Sequence, residues 1–560
     1  MKFSNKILSQ TFTQLCLEKG ITQIIISPGS RNAPLTIGFA ENPEFKTYSV
    51  VDERCAAFFA IGIAQQTKKP AVLVCTSGSA LLNYYPAIAE AFYSNIPLIV
   101  VSADRPKKLI DIGDGQTIRQ ENVYKNHILY SANCEESEGG DIEEDFQIKN
   151  ETEINIALNT AIELNGPVHV NIPFSEPLYE TTDRQIVWPQ NVRPRLESFK
   201  IEEDLEPFAK IWNKSAKKMI LIGVLPPNSI EQDFIEKLAA DESVIVLTET
   251  TSNVSNNQFF PAIDQLISSL ESKNFEDLKP DILLTFGGMI VSKRIKSFLR
   301  NYTPKEHWHV DLHDANDTFF ALNQYFETKP SVFLNEFLPK TKNVISSYKA
   351  DWLRVKQHRL LKHAEYEHKI PFSDFKVFSI LFKNLSKQIQ LQLSNSATIR
   401  YAQLFEIDSS IQVFCNRGTS GIDGSTSTAL GSAVASALPT ILITGDLSFF
   451  YDSNALWNNY IPKNFKIIII NNRGGGIFRI LPGEKDSEVF KTYFETQHTM
   501  NAKHLAEMYN FEYTSAENEE DLNANLKEFL ENEDRPAILE IFTPSKINDK
   551  VLLDYFRFIA

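Results

Sequence analysis

The chain reads as an α/β protein built from three tandem open parallel-sheet domains, and three observations predict this. Apolar runs such as AVLVC at 71–75, DILLTF at 281–286 and KIIIIN at 466–471 lack polar alternation, the pattern of strands covered on both faces in a parallel sheet. Each run leads through a turn into a helix-length segment, and this alternation restarts twice along 560 residues, as doubly wound sheets require. Polar and glycine-rich clusters (SPGSR, VDER, TSGS, ADRP, GD, NNRGGG) follow the runs, which places them at the carboxyl ends of strands, where open α/β sheets bind ligands.

In order, MKFSNKILSQTFTQLCLEKG spaces its apolar residues as an amphipathic helix and not as a signal peptide. The first unit spans 1–182 and closes with GPVHVNIPFSEPL. Residues 183–200, with two prolines and no strong period, read as a linker. A second α/β unit covers 201–345, with KKMILIG, SVIVLTE, DILLTF and HWHVDL as strands. A charged helical connection over 346–371 leads into the third unit, 372–560.

Composition excludes several classes. No segment approaches the roughly 18 apolar residues of a membrane span, and a net charge of −15 argues against nucleic acid or an anionic membrane as partner. Five scattered cysteines without CxxC predict reduced thiols in a cytoplasmic protein. No Gly-x-Gly-x-x-Gly follows a strand and no Gly-x-x-x-x-Gly-Lys-Ser/Thr occurs, which weakens nucleotide readings. The ten histidines lack metal spacing; His307 and His309 alternate on one strand and are expected in core or surface roles. An anionic substrate would need a local arginine cluster.

The stretch TGDLSFFYDSNALWNNYIPKNFKIIIINNRGGGIF, 444–478, carries the most chemistry. Gly445-Asp446 ends one apolar run and Asn471-Asn472 the next, so Asp446 and Asn472 converge at one sheet edge. A carboxylate, an amide oxygen and a carbonyl exposed by a glycine turn are ligands for Mg²⁺, which completes its octahedron with phosphate oxygens and water. At the first sheet, Ser30 and Arg31 suit an anion contact. Asp52 fits a helix cap, an explanation that covers Glu53 less well.

This layout resembles the thiamine diphosphate (ThDP)-dependent 2-oxo acid decarboxylases and carboligases. In them the first domain binds the cofactor's aminopyrimidine and the last its diphosphate. SPGSRNAPLT, VDERCAAFFAIG, TSGSALLNYYPAIAEA, ADRP with GQTIRQ, SNSATIR, NRGTSGIDG, GDLSFFYD and NNRGGGIF are similar to the menaquinone-biosynthetic branch, which has Leu447 where the wider family has glycine. The resemblance implies decarboxylation of 2-oxoglutarate and addition of the product to isochorismate. It implies Glu53 as the catalytic partner of pyrimidine N1′ and Ile422 as the wedge that bends the cofactor. Ser77, Gly78, Gly445, Asp446, Leu447, Ser448, Asn472, Gly474, Gly475, Ile477 and Phe478 would complete the cofactor site, with Asp446, Asn472 and the Gly474 carbonyl holding Mg²⁺ or Mn²⁺. Both substrates are dicarboxylates, and Arg31, Arg105, Lys293, Arg294, Arg400 and Arg417 would meet them, with Ser30, Gln116 and Ser396 as neutral partners and Ile477, Phe478 and Leu481 as an apolar wall. In that family Glu53 and Asp446 of one site come from different subunits, which implies a homodimer at least and a tetramer as a plausible assembly. Two alternatives stay open: another ThDP enzyme such as an acetolactate synthase, which would need fewer arginines, and a non-catalytic α/β binding protein.

Overall fold

The computed structural model describes residues 2–136, 144–195, 201–481 and 483–560; residues 196–200 of the expected linker lie outside this range. A short antiparallel ribbon pairs β1 (Phe3–Ser4) with β8 (Thr181–Thr182), tying the chain's start to the end of the first sheet unit. The first sheet contains β2 (Gln23–Ile26), β3 (Lys46–Ser49), β4 (Ala71–Cys75), β5 (Leu98–Asp104), β6 (Tyr130–Asn133) and β7 (Val168–Pro173), in the order β3-β2-β4-β5-β7-β6. The middle sheet contains β9 (Lys218–Ile222), β10 (Val244–Thr248), β11 (Ile282–Phe286), β12 (Glu306–Asp311) and β13 (Gln324–Glu327), in the order β10-β9-β11-β12-β13. The third contains β14 (Gln390–Leu393), β15 (Gln412–Phe414), β16 (Thr440–Gly445), β17 (Lys466–Asn471), β18 (Glu512–Ala516) and β19 (Ala537–Phe542), in the order β15-β14-β16-β17-β19-β18. All three are parallel, and the outer two share one winding order, so their ligand-binding edges are built alike.

Burial follows the apolar runs. Every residue of β4, β5 and β17 is buried, as expected of central strands covered on both faces. The sheet units dock through close helix crossings. Helix Glu53–Thr67 meets helix Ser425–Ala435 at two glycines: a Cβ on Gly62 would lie 2.1 Å from the Thr428 carbonyl oxygen, and one on Gly431 would lie 2.0 Å from that of Phe59. Only glycine permits that approach. The middle sheet unit joins the third through Asn253, whose side chain donates to the Val413 carbonyl (2.9 Å) and accepts from its amide (2.8 Å), as a neighbouring strand would. Helix Tyr348–Glu367 bridges the same two units, burying Tyr348 and Trp352 in the middle core and Tyr366 in the third.

Two local expectations change. The N-terminal helix is confined to Ile7–Glu18, because residues 3–4 pair as a strand. After β16 the helix lasts only from Asp446 to Tyr451 before a 3-10 turn at Ser453–Leu456. The buried Asp452 carboxylate, which accepts from the Ser427 amide and hydroxyl, anchors the chain there. No helix among the described residues is long and apolar enough to cross a membrane.

Candidate active site

Asp446 follows β16 directly and Asn472 follows β17, its parallel neighbour, so the two side chains emerge side by side at one sheet edge. Both are buried. The Asp446 carboxylate accepts from the Leu447 amide (2.7 Å) and the Gly474 amide (2.9 Å), and Nε2 of His498 lies 3.2 Å from its Oδ2. Gly474 has φ +146°, and a Cβ there would come within 2.4 Å of the Glu495 carbonyl oxygen, so the turn that lays its amide on Asp446 requires glycine. A Cβ on Gly445 would meet nothing within 4 Å, leaving room at the strand end for a bulky group.

The Oδ1 atom of Asn472 is buried without a hydrogen-bond partner, although buried polar atoms are nearly always satisfied. A carboxylate beside an unpartnered amide oxygen fits a hard cation. No group of three or more His, Cys, Asp or Glu that could hold a metal exists among the described residues. Mg²⁺, which takes few protein oxygens and completes its shell with phosphate and water, would suit such a pair. Ser448 donates to the Ile422 carbonyl (2.7 Å), fixing the loop that presents a part-exposed Ile422 beside this edge. Phe478 and Leu481 are exposed, Phe478 packing on Phe494 at 6.0 Å.

A second group lies at the carboxyl edge of the first sheet. Glu53 is the first residue of its helix, with Asp52 as the cap that accepts from the Cys55 amide. It is half-buried and accepts from Asn83 Nδ2 at 3.1 Å. Burial pushes up the neighbouring Cys75 thiol, and the charge of Glu53 adds to that rise. Ser77 donates to the Gln116 carbonyl, and Gln116 returns a bond from its side chain to the Ser77 carbonyl. Arg31 is buried, donating to the Phe174 carbonyl (2.8 Å) and pairing with Glu176 (3.0 Å); burial, then Arg105, lowers its pKa. Arg105 binds the Gly115 carbonyl and Asp114. Ser30 is exposed beside them.

A third group forms where the middle sheet unit meets the third. Lys293 and Arg294 open the helix Lys293–Asn301, capped by Ser292. Arg294 leans over the Phe556 ring at 4.7 Å. Arg400 donates to the Ser396 carbonyl (2.5 Å), and Arg417 to Asn395 Oδ1 (2.7 Å). Burial, then the charge of Arg417, lowers the Arg400 pKa, so the two guanidiniums are electrostatic neighbours. Two buried carboxylates that sequence reasoning did not single out face this cluster. Glu249 accepts from the Val291 and Ser292 amides, at 2.7 and 2.8 Å, and feels Arg417. Asp264 accepts from the Ser292 hydroxyl and feels Arg294 and Arg400.

The expected residues thus fall into one group on the first sheet and two adjoining groups on the third and middle units. Among the described residues, no hydrogen bond or ion pair joins an expected residue of the first-sheet group to one of the other two. Contact between the units runs instead through residues that were not anticipated. Arg54 reaches the Tyr451 carbonyl and Asp452, and buried Glu90 accepts from the Gly418 and Thr419 amides next to Arg417. Glu90 had one sequence signal, a carboxylate inside the apolar helix YPAIAEAFY. His498 had none, since its partner Asp446 lies far away in sequence.

Three parallel sheets, with Asp446 and the unpartnered amide oxygen of Asn472 at the edge of the last and a strand-end glutamate on the first, have the layout of a ThDP-type enzyme. Consistent with that, residues 8–126 match the family described as thiamine pyrophosphate enzyme, N-terminal TPP binding domain; residues 185–393 match the middle domain of thiamine pyrophosphate enzymes; residues 396–541 match the C-terminal TPP binding domain. The chain belongs to the thiamine pyrophosphate enzyme family, in the branch of its curated relatives. One from Flavobacterium johnsoniae, 57% identical over 98% of both chains, and one from Christiangramia forsetii, 55% identical over 100% of both, are each named 2-succinyl-5-enolpyruvyl-6-hydroxy-3-cyclohexene-1-carboxylate (SEPHCHC) synthase. A third so named, from Porphyromonas gingivalis, is 37% identical over 97% of this chain and 95% of the relative.

Proposed function

We propose that the chain decarboxylates 2-oxoglutarate and adds the resulting four-carbon unit to isochorismate, giving SEPHCHC and CO₂ as a step of menaquinone biosynthesis. Full-length similarity to SEPHCHC synthases supports this. The observation that carries it is the gathering of Arg294, Arg400 and Arg417, with Lys293 next to Arg294, in a chain of net charge −15. Two dicarboxylates need such a cluster, and guanidinium is suited to binding carboxylate through two hydrogen bonds. A decarboxylase acting on pyruvate would not need it.

ThDP, when bound, supplies the carbanion chemistry and the electron sink. Around it Asp446, Asn472 and the Gly474 carbonyl would hold Mg²⁺ or Mn²⁺ against the diphosphate, flanked by Gly445, Leu447, Ser448 and Gly475. Ile422 would support the cofactor, and Ile477, Phe478 and Leu481 would screen the reacting carbon from water. Glu53 would share a proton with the pyrimidine ring, with Ser77 and Gly78 beside it. Arg31, Arg105, Ser30, Gln116 and Ser396 would contact carboxylates and hydroxyls. As the resemblance to the family implies, a homodimer whose second copy completes each site would be the minimal active assembly, with a tetramer of two such dimers as a further one. Five buried, unpaired cysteines suit a cytoplasmic setting.

The test is substrate selectivity with ThDP and Mg²⁺ present. CO₂ release from 2-oxoglutarate should far exceed that from pyruvate; equal turnover of pyruvate overturns the reading.

A further inference from the structure

Asn472 presents an oxygen to the cation edge, yet an amide can turn either end that way, since its O and N are nearly equal in shape. Its Nδ2 donates to Oδ2 of Asp374 at 3.0 Å, while its Oδ1 is left buried and unpartnered. Asp374 is 3% exposed and opens the helix Asp374–Asn384. Its Oδ1 accepts from the Thr543 hydroxyl (2.5 Å), and its own amide donates to Asn548 Oδ1 (2.9 Å). Thr543 in turn donates its amide to the Asn471 carbonyl at 3.0 Å, so the carboxylate is anchored to the end of β19 and to the strand that carries Asn472.

We infer that Asp374 is the positioning residue of the cation site: by accepting from Nδ2, it turns the oxygen of Asn472 toward the metal and prevents the opposite orientation. An ionised carboxylate only accepts hydrogen bonds, so it selects the NH₂ end of the amide. With that partner removed, the amide can turn its NH₂ toward the cation, which repels it. Metal ligands are commonly oriented in this way by a second carboxylate, and loss of such a partner typically lowers metal affinity by about 10–100-fold. The inference rests on the proposed metal role of Asn472.

The experiment titrates Mg²⁺ into the full-length protein at fixed ThDP, following heat by calorimetry, with the melting temperature of the cofactor-free protein measured in parallel. Asp374→Ala should weaken Mg²⁺ binding about 10–100-fold, and Asp374→Asn, which can still offer Asn472 an oxygen, should recover part of that loss. Thr543→Val removes another bond to the same carboxylate and should lower the melting temperature with near-native Mg²⁺ affinity. Native Mg²⁺ affinity in Asp374→Ala overturns the inference, as does an equal affinity loss in Thr543→Val. Asn472→Ala separates the two claims: native affinity there refutes the metal role of Asn472 itself, whereas a loss there with native affinity in Asp374→Ala refutes only the positioning role. In the Asn472→Ala background, removing Asp374 should cause no further loss.

Discussion

Glu249→Gln removes one buried charge beside the arginine cluster, and its effect has a definite sign with pH. Glu249 is 2% exposed at the end of β10, and its two oxygens hold the Val291 and Ser292 amides that lead into Lys293 and Arg294. Burial pushes its carboxyl up from 4.5 to about 7; Asp264 pushes the same way, while those two amides and Arg417 oppose the rise. At about 1.36 kcal/mol per pH unit, that rise corresponds to a contribution of order 3 kcal/mol. Since the folded-state value lies above the unfolded one, the stabilisation is full below about pH 4.5 and is lost as pH rises to about 7. Lys296 also feels the charge of Glu249. Buried Asp374 and Asp452, both raised to about 6, act in the same direction but are common to both proteins. Thermal melts of the wild type and Glu249→Gln from pH 4.5 to 8 should therefore diverge. The wild type should lose roughly 6–12 °C more across that window in the transition containing the middle sheet unit, at about 2–4 °C per kcal/mol. Superimposable pH profiles would refute the buried-charge reasoning.

Two further outcomes follow from the geometry. Glu53→Gln should keep ThDP affinity, measured by calorimetry, while slowing turnover by about 10²–10⁴-fold, the usual loss on removing an acid–base group; an unimpaired rate would remove Glu53 from the chemistry. Gly431→Ala forces a Cβ to within 2.0 Å of the Phe59 carbonyl oxygen. Overpacking of this kind destabilises by about 1–3 kcal/mol or more, so hydrogen exchange should quicken in helices Glu53–Thr67 and Ser425–Ala435 together; unchanged protection in both would show that the crossing has slack.

Much of this was legible in the sequence because the signals are local. The unbroken apolar runs mark the buried strands, and Gly445-Asp446 and Asn471-Asn472 sit at strand ends where topology must bring neighbours together. Leu447, odd against the wider family, is informative only beside the motifs that surround it. What is not legible depends on contacts distant in sequence. Asp374 reads as an ordinary acidic residue in a helix's first turn, and only the fold places it against Asn472, 98 positions away. Glu249 follows an apolar run much as Glu53 follows another, and nothing local distinguishes a carboxylate that organises a loop from one that faces a ligand. Arg31 is where the motif predicts, but its burial against Phe174 and Glu176 commits donors that the sequence leaves free.

The proposed reaction joins decarboxylation of 2-oxoglutarate to carbon–carbon bond formation with isochorismate. Quantifying CO₂ and the coupled product together, with and without isochorismate, tests it most directly. One CO₂ per product formed and little sustained release without isochorismate are expected; CO₂ release at the same rate in its absence, with no coupled product, would refute the coupled reaction.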